Sequence, residues 1–120
     1  MNSARLLLVD DEPALGDLLK RFLERHGYAV DTFRDAESAL LALTQDPARY
    51  ALLITDLTLP GMSGEELVVK VREQTPTLPA IIASGYPYLP QWERVVFVQK
   101  PFLPKMLSEE IEQLLKGRSA

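Results

Sequence analysis

Leu6-Leu7-Leu8-Val9-Asp10-Asp11-Glu12 sets four apolar residues directly before three acids. An unbroken apolar run this short suits a strand covered on both faces, as in a parallel sheet, because neither face presents a polar row to water. Similar runs recur at residues 51–54, 80–83 and 95–98, while a fifth candidate at 28–33 carries Asp31 and Thr32 and reads as an edge strand. Between these runs the apolar period lengthens to that of a helix. Leu15, Leu18, Leu19, Phe22 and Leu23 follow i, i+3, i+4, i+7 and i+8, with Gly27 placed to end the helix. Asp35 can cap a second helix carrying Ala36, Ala39, Leu40 and Leu43, which stops before Pro47. Ser63 and Glu66 form a capping box that opens a third, with Leu67, Val68 and Val71 inward before Pro76. Leu107, Ile111, Leu114 and Leu115 mark a last helix. Strands alternating with helices predict an α/β fold. Right-handed crossovers narrow the topology to a doubly wound, five-stranded parallel sheet in the order 2-1-3-4-5.

Composition bounds the function. A chain of 120 residues fits one domain, since domains usually run to roughly 100–150 residues. The absence of cysteine excludes a disulfide scaffold, a thiolate zinc site and a Cys nucleophile. A net charge of −4 provides no global attraction to nucleic acid or anionic lipid, so direct nucleic-acid binding is not expected. No apolar run approaches the ~20 residues a membrane helix needs, and the start lacks a secretory pattern. The expected location is therefore the cytoplasm, without membrane insertion.

In the order 2-1-3-4-5, strands 1 and 3 are neighbours, so Asp10, Asp11 and Asp56 meet at their carboxyl ends, where ligands bind in open α/β sheets. Two unit charges about 4 Å apart repel by about 4 kcal/mol at an effective dielectric near 20, so three acids in one pocket require a cation. Oxygen donors without Cys or a nearby His select a hard ion, Mg²⁺ or else Mn²⁺, over zinc. Lys100 ends the fifth strand at the same edge. Three carboxylates, one ammonium and one divalent ion sum to zero, which suits an incoming phosphoryl group.

Four motifs, in order and each at a strand end, now carry a family resemblance. They are Leu-Leu-Val-Asp-Asp-Glu at 7–12, Asp-Leu-Thr-Leu-Pro-Gly-Met-Ser-Gly at 56–64, Ala-Ser-Gly at 83–85 and Lys-Pro-Phe at 100–102. From Arg5 to about Lys116 the sequence resembles the response regulator receiver domain of two-component signalling, with its CheY-like, flavodoxin-like sheet. The resemblance implies a phosphoacceptor module that serves signalling and is no enzyme in the ordinary sense, catalysing only its own phosphorylation and dephosphorylation. Asp56 resembles the phosphoacceptor, which takes a phosphoryl group from a phosphohistidine on a sensor histidine kinase or phosphotransfer protein. Asp10 and Asp11 resemble the acidic pair that holds Mg²⁺, with Asp56 and the backbone carbonyl of Thr58 as further ligands. Lys100 and Ser84 are implied contacts of the phosphoryl oxygens. Ser84 and Phe97 match the switch positions, Thr58 and Tyr86 match positions that tune hydrolysis, and Pro101 matches a proline usually preceded by a cis bond. A phenol at Tyr86 that shields the acyl phosphate implies slow self-hydrolysis. Residues 1–120 are then expected to be a single receiver domain, with its core at 4–116 and only residues 117–120 after the last helix. That leaves no room for an output domain, so the chain is either a stand-alone regulator or a receiver cut from a hybrid kinase or longer regulator. Its output is expected to be a downstream protein or domain.

Each residue also has a plainer reading. Asp10 and Asp11 alone would serve as N-caps, Ser84 as a turn residue, Phe97 as core, and His26 as a helix-end imidazole suited to the dipole. Glu12, Glu65 and Glu66 read as first-turn acids. The sequence departs from the family between Ser84 and Lys100, where Pro87 and Pro90 disfavour a helix. The helix that usually joins strands 4 and 5 is expected to be shortened or missing, which puts the usual output face in doubt. Tyr86, Tyr88 and Trp92 then either cover the sheet or form a docking loop. Two rival functions stay open: a pseudo-receiver that binds partners without phosphorylation, and an Asp-nucleophile Mg²⁺ phosphatase. The phosphatase needs a second Asp where Thr58 stands.

Overall fold

The computed structural model describes residues 4–117. Five strands and four helices follow in order: β1 (Arg5–Val9), α1 (Pro13–Arg25), β2 (Ala29–Phe33), α2 (Ala36–Gln45), β3 (Leu52–Asp56), α3 (Gly64–Gln74), β4 (Ala80–Ser84), β5 (Val95–Gln99) and α4 (Pro104–Gly117). A single 3-10 turn, Pro47–Arg49, precedes β3. All strand pairs are parallel, and the order is β2-β1-β3-β4-β5 as expected. The last helix already contains Gly117, while residues 1–3 and 118–120 lie outside the described residues.

The unbroken apolar runs have the meaning read from them. Leu7, Val9, Leu53 and Ile82 point to the layer formed by α2 and α3, and Leu6, Leu8, Leu52, Ile54 and Ile81 to the layer formed by α1 and α4. Successive strand residues face opposite sides, so only a sheet covered on both faces buries every residue of the run. The helix signals hold as well: Asp35 Oδ1 accepts from the Ser38 amide at 2.7 Å, and the Ser63–Glu66 capping box is closed in both directions. Gly27, at φ +93°, follows the end of α1. One position of the α1 stripe departs from expectation. Leu19 and Leu23 are buried and Leu15 and Phe22 half-buried, but Leu18 is 54% exposed. At 100° per residue, Leu18 lies a quarter-turn from Leu19, beyond the arc that one flat sheet can cover.

Between β4 and β5, residues 85–94 contain no helix, and the fourth helix in chain order, α4, follows β5. Residues 85–94 still cover the sheet. Tyr88 and Trp92 pack against the α2/α3-side core, and the Tyr88 ring meets Phe97 edge to face, with centroids 6.4 Å apart. The Tyr88 hydroxyl donates to Glu65 Oε2 at 2.7 Å, and burial together with this bond pushes its pKa up to about 12. At the base of the segment, Arg72 donates to the carbonyls of Leu78 and Glu93, and Arg94 to those of Thr77 and Leu114. Arg94 takes φ +61°, a left-handed conformation rare for a side-chain-bearing residue, at the turn that enters β5. Tyr86, by contrast, is 72% exposed. In urea denaturation, Trp92→Ala is expected to lower unfolding free energy by about 2 kcal/mol, and Tyr86→Ala to change it by less than about 0.5 kcal/mol.

Candidate functional site

Parallel register delivers the chemistry to one edge. Val9 pairs with Thr55, Asp56 with Ala83 and Ser84 with Gln99, so Asp10, Asp56, Ser84 and Lys100 all lie at or just beyond the carboxyl ends of adjacent strands. Backbone bonds across the ends hold them there: the Leu57 amide donates to the Ala83 carbonyl and the Lys100 amide to the Ser84 carbonyl, both at 2.8 Å. The Lys100–Pro101 peptide is cis, as expected.

Asp10, Asp56 and Ser84 are buried, while Asp11 is exposed at the rim. One carboxylate oxygen from each of Asp10, Asp11 and Asp56 lies within 4.8 Å of the other two. Lys100 Nζ is 2.7 Å from Asp56 Oδ1, 3.9 Å from Asp10 Oδ2 and 3.7 Å from Glu12 Oε1. Asp56 Oδ2 is buried without a hydrogen-bond partner. Burial is the main force on Asp56 and pushes its pKa up to about 7; Lys100 pulls the value down and the Asp10 charge pushes it further up. Burial alone would lower Lys100, but the hydrogen bond to Asp56 and the surrounding carboxylates hold its pKa above the ordinary value. Lys100 offsets one of three close carboxylates, and one of those carboxylates keeps a buried oxygen without a partner. These all-oxygen donors fit a hard divalent cation.

Asp11, Asp56, Thr58, Ser84, Tyr86 and Lys100 line a pocket of about 150 Å³. Thr58 and Tyr86, both exposed, are among its lining residues. Ser84 Oγ accepts from the Tyr86 amide at 2.9 Å, leaving its own proton available to an incoming acceptor. Phe97 sits in the middle of β5, paired with Ile82 two residues before the Ser84–Gln99 pair; it is half-buried under Tyr88 and outside the pocket. Neither Asp10 nor Asp11 caps α1, whose N-cap is Glu12 with no side-chain cap; instead Asp10 Oδ1 accepts from the Glu12 amide at 2.8 Å, closing a short turn before the helix while remaining in the acidic cluster. His26 caps its own helix, with Nδ1 3.0 Å from the Phe22 carbonyl, away from this edge.

Two features were not legible as site features. Glu12, read as a helix-start acid, shares Lys100 with the aspartates through space. Gly64 begins α3 directly against the end of β3: a Cβ there would stand 2.0 Å from the Asp56 carbonyl oxygen, so only glycine lets the helix start so close. The Gly64 amide instead bonds the Leu57 carbonyl at 2.9 Å.

A doubly wound sheet with clustered aspartates and a lysine at its switch point defines a CheY-like α/β domain. The chain belongs to the response regulator receiver domain family, whose model matches residues 6–112. It is 30% identical over 122 residues to the transcriptional regulatory protein CssR of Bacillus subtilis, covering 95% of this chain and 52% of that protein. It is 31% identical to the transcriptional regulatory protein QseB of Haemophilus influenzae, covering 95% of this chain and 53% of that one. The chain spans about half the length of these curated relatives. Among solved structures, the receiver domain of the hybrid histidine kinase CckA superposes with a TM-score of 0.85 at 35% identity, covering 93% of this chain and 99% of that one. Chemotaxis protein CheY4 of Vibrio cholerae gives 0.84 at 26% identity, covering 94% and 99%. The protein is thus a receiver domain of two-component signalling, a family of phosphoacceptor modules that bind Mg²⁺ through an acidic pocket. Among the described residues no helix is long and apolar enough to cross a membrane.

Because the folded pKa of Asp56 lies above its unfolded value, the stability it favours is present below about pH 4 and is lost as pH rises through about 7. In the absence of divalent ions, the denaturation midpoint is expected to fall between pH 5 and pH 8. Asp56→Asn should fall less and be more stable than wild type at pH 8 by roughly 1–3 kcal/mol.

Proposed function

We propose that Asp56 is the phosphoacceptor of this receiver. The observation that carries the reading is the state of its carboxylate: buried, held on one oxygen by Lys100 at 2.7 Å, and unpartnered on the other. A carboxylate oxygen of Asp56 attacks phosphorus, the P–N bond to the donor imidazole breaks, and the imidazole leaves with a proton, creating an acyl phosphate. Asp10, Asp11 and Asp56, with the Thr58 carbonyl, would hold Mg²⁺ or Mn²⁺, which supplies neutralising charge between two anionic reactants. Lys100 stands where its ammonium can pair with a phosphoryl oxygen as a point charge, and the Ser84 hydroxyl donates to another. Reset is hydrolysis: water forms the new P–O bond, the acyl P–O bond breaks, and the Asp56 carboxylate returns with release of phosphate.

The donor is a sensor histidine kinase or a histidine phosphotransfer protein, and the product is a changed surface read by a downstream protein or domain. Ser84 and Phe97 transmit the change, since Ser84 ends β4 and Phe97 packs beneath the segment that Ser84 begins. The chain is a signalling phosphoacceptor working in the cytoplasm, a single receiver unit, and its turnover is limited to its own acyl phosphate. Tyr86 and Thr58 flank the pocket mouth and restrict water, so self-hydrolysis is slow.

Incubation with Mg²⁺ and a small acyl phosphate, followed by intact mass measurement, tests the assignment. Wild type should gain one phosphoryl group, Asp56→Asn none, and Lys100→Ala far less than wild type in the same time. An unmodified wild type overturns the reading. The adduct on wild type should persist for minutes or longer, and Tyr86→Ala should shorten its lifetime.

A further inference from the structure

The seven residues between β3 and α3, 57–63, carry Thr58 at the site and must hold a defined curve for its carbonyl to face the aspartates. Three anchors are local. Leu57 bonds β4 and Gly64 through its backbone, Leu59 is buried in the α2/α3-side core, and the Ser63 cap fixes the helix start. The far bend is held from outside. Glu37, in the first turn of α2, accepts from the Met62 amide on Oε2 at 3.0 Å. The neighbouring Gly61 has φ +75°, and a Cβ there would stand 2.8 Å from the same Oε2 atom, so the carboxylate occupies the space that a side chain would need. Glu37 is exposed and makes no ion pair among the described residues, so its carboxylate is committed to this backbone amide.

We propose that Glu37 is a positioning residue for the cation site: by holding the Met62 amide it sets the loop that presents the Thr58 carbonyl beside Asp10, Asp11 and Asp56. The inference rests on the reading of those aspartates as the cation ligands. A charge-assisted acceptor for a backbone N–H is stronger than a neutral one, and residues that orient ligands commonly change metal affinity by about tenfold or more. Glu37 acts through hydrogen-bond geometry rather than long-range charge, so an amide oxygen in its place preserves most of the effect.

The test uses the whole chain with Mg²⁺ alone as probe, read by NMR shifts of amides around Asp56, together with hydrogen exchange of the Met62 amide in the metal-free protein. Glu37→Ala is expected to bind Mg²⁺ about tenfold more weakly than wild type and to exchange the Met62 amide at least about tenfold faster. Glu37→Gln is expected to stay within about threefold of wild type in both measurements. Equal Mg²⁺ affinity of Glu37→Ala and wild type overturns the inference, as does an unchanged Met62 exchange rate. A Glu37→Gln variant as weak as Glu37→Ala also overturns it, since charge and not the hydrogen bond would then be responsible. If wild type itself binds no Mg²⁺, the aspartate reading falls and this inference with it, an outcome separable from the others because it appears before any substitution.

Discussion

Keeping the Asp56 carboxylate out of water is the constraint around which the carboxyl edge of the sheet is built. An ionised carboxylate loses several kcal/mol of hydration on burial, and an adjacent like charge from Asp10 deepens the loss. Lys100 recovers part of it through one oxygen at 2.7 Å, while the other oxygen stays unpartnered. The result is a carboxyl with a pKa pushed up to about 7, poised between protonated and ionised forms near neutral pH. Such a group is costly as structure, and a carboxyl perturbed by burial beside a charge partner is the kind of group that marks a functional site. Other features of the edge act on the same group: Gly64 lets α3 begin against the end of β3, and parallel register sets Asp10, Ser84 and Lys100 around one carboxylate.

The segment joining β4 to β5 shows how a sheet face can be covered without a helix. Pro87 and Pro90 remove two backbone donors and restrict their neighbours, so a regular helix is disfavoured there. Tyr88 and Trp92 supply the apolar cover instead, and the Arg72 and Arg94 guanidinium groups satisfy carbonyls at the segment's base. Of the two roles open to the aromatics, these two residues are used inward. Tyr86 and Leu89, 72% and 82% exposed, remain on the surface. Phe97 consequently lies under a tyrosine whose hydroxyl is tied to α3, linking the middle of β5 to that helix by one ring contact and one hydrogen bond.

Local patterns were legible where local physics decides them. The runs at Leu6–Val9 and their counterparts specify buried strands because hydrophobic period and strand pleat are properties of a few adjacent residues. Asp35 and Ser63 could be read as caps because their partners lie three positions along the chain. Leu18 was misplaced because periodicity gives the direction of a stripe and not the width of the surface it meets. Glu12, Glu37 and Arg94 carried no readable signal, since their partners lie in other elements: Lys100, the Met62 amide and the carbonyls of Thr77 and Leu114. The left-handed backbone at Arg94 likewise depends on a junction of three segments.

By itself, then, the sequence determined the strand and helix inventory, the order of the sheet, and the identity of the acids and lysine at its carboxyl edge, because periodicity, turn chemistry and crossover handedness act over short spans. Only the tertiary structure decided how the ammonium of Lys100 divides among Asp56, Asp10 and Glu12, which Asp56 oxygen is left without a partner, and how residues 85–94 replace a helix. Those outcomes depend on distances of a few ångströms between residues far apart in the chain, and on desolvation that exists only once the layers have closed over the sheet.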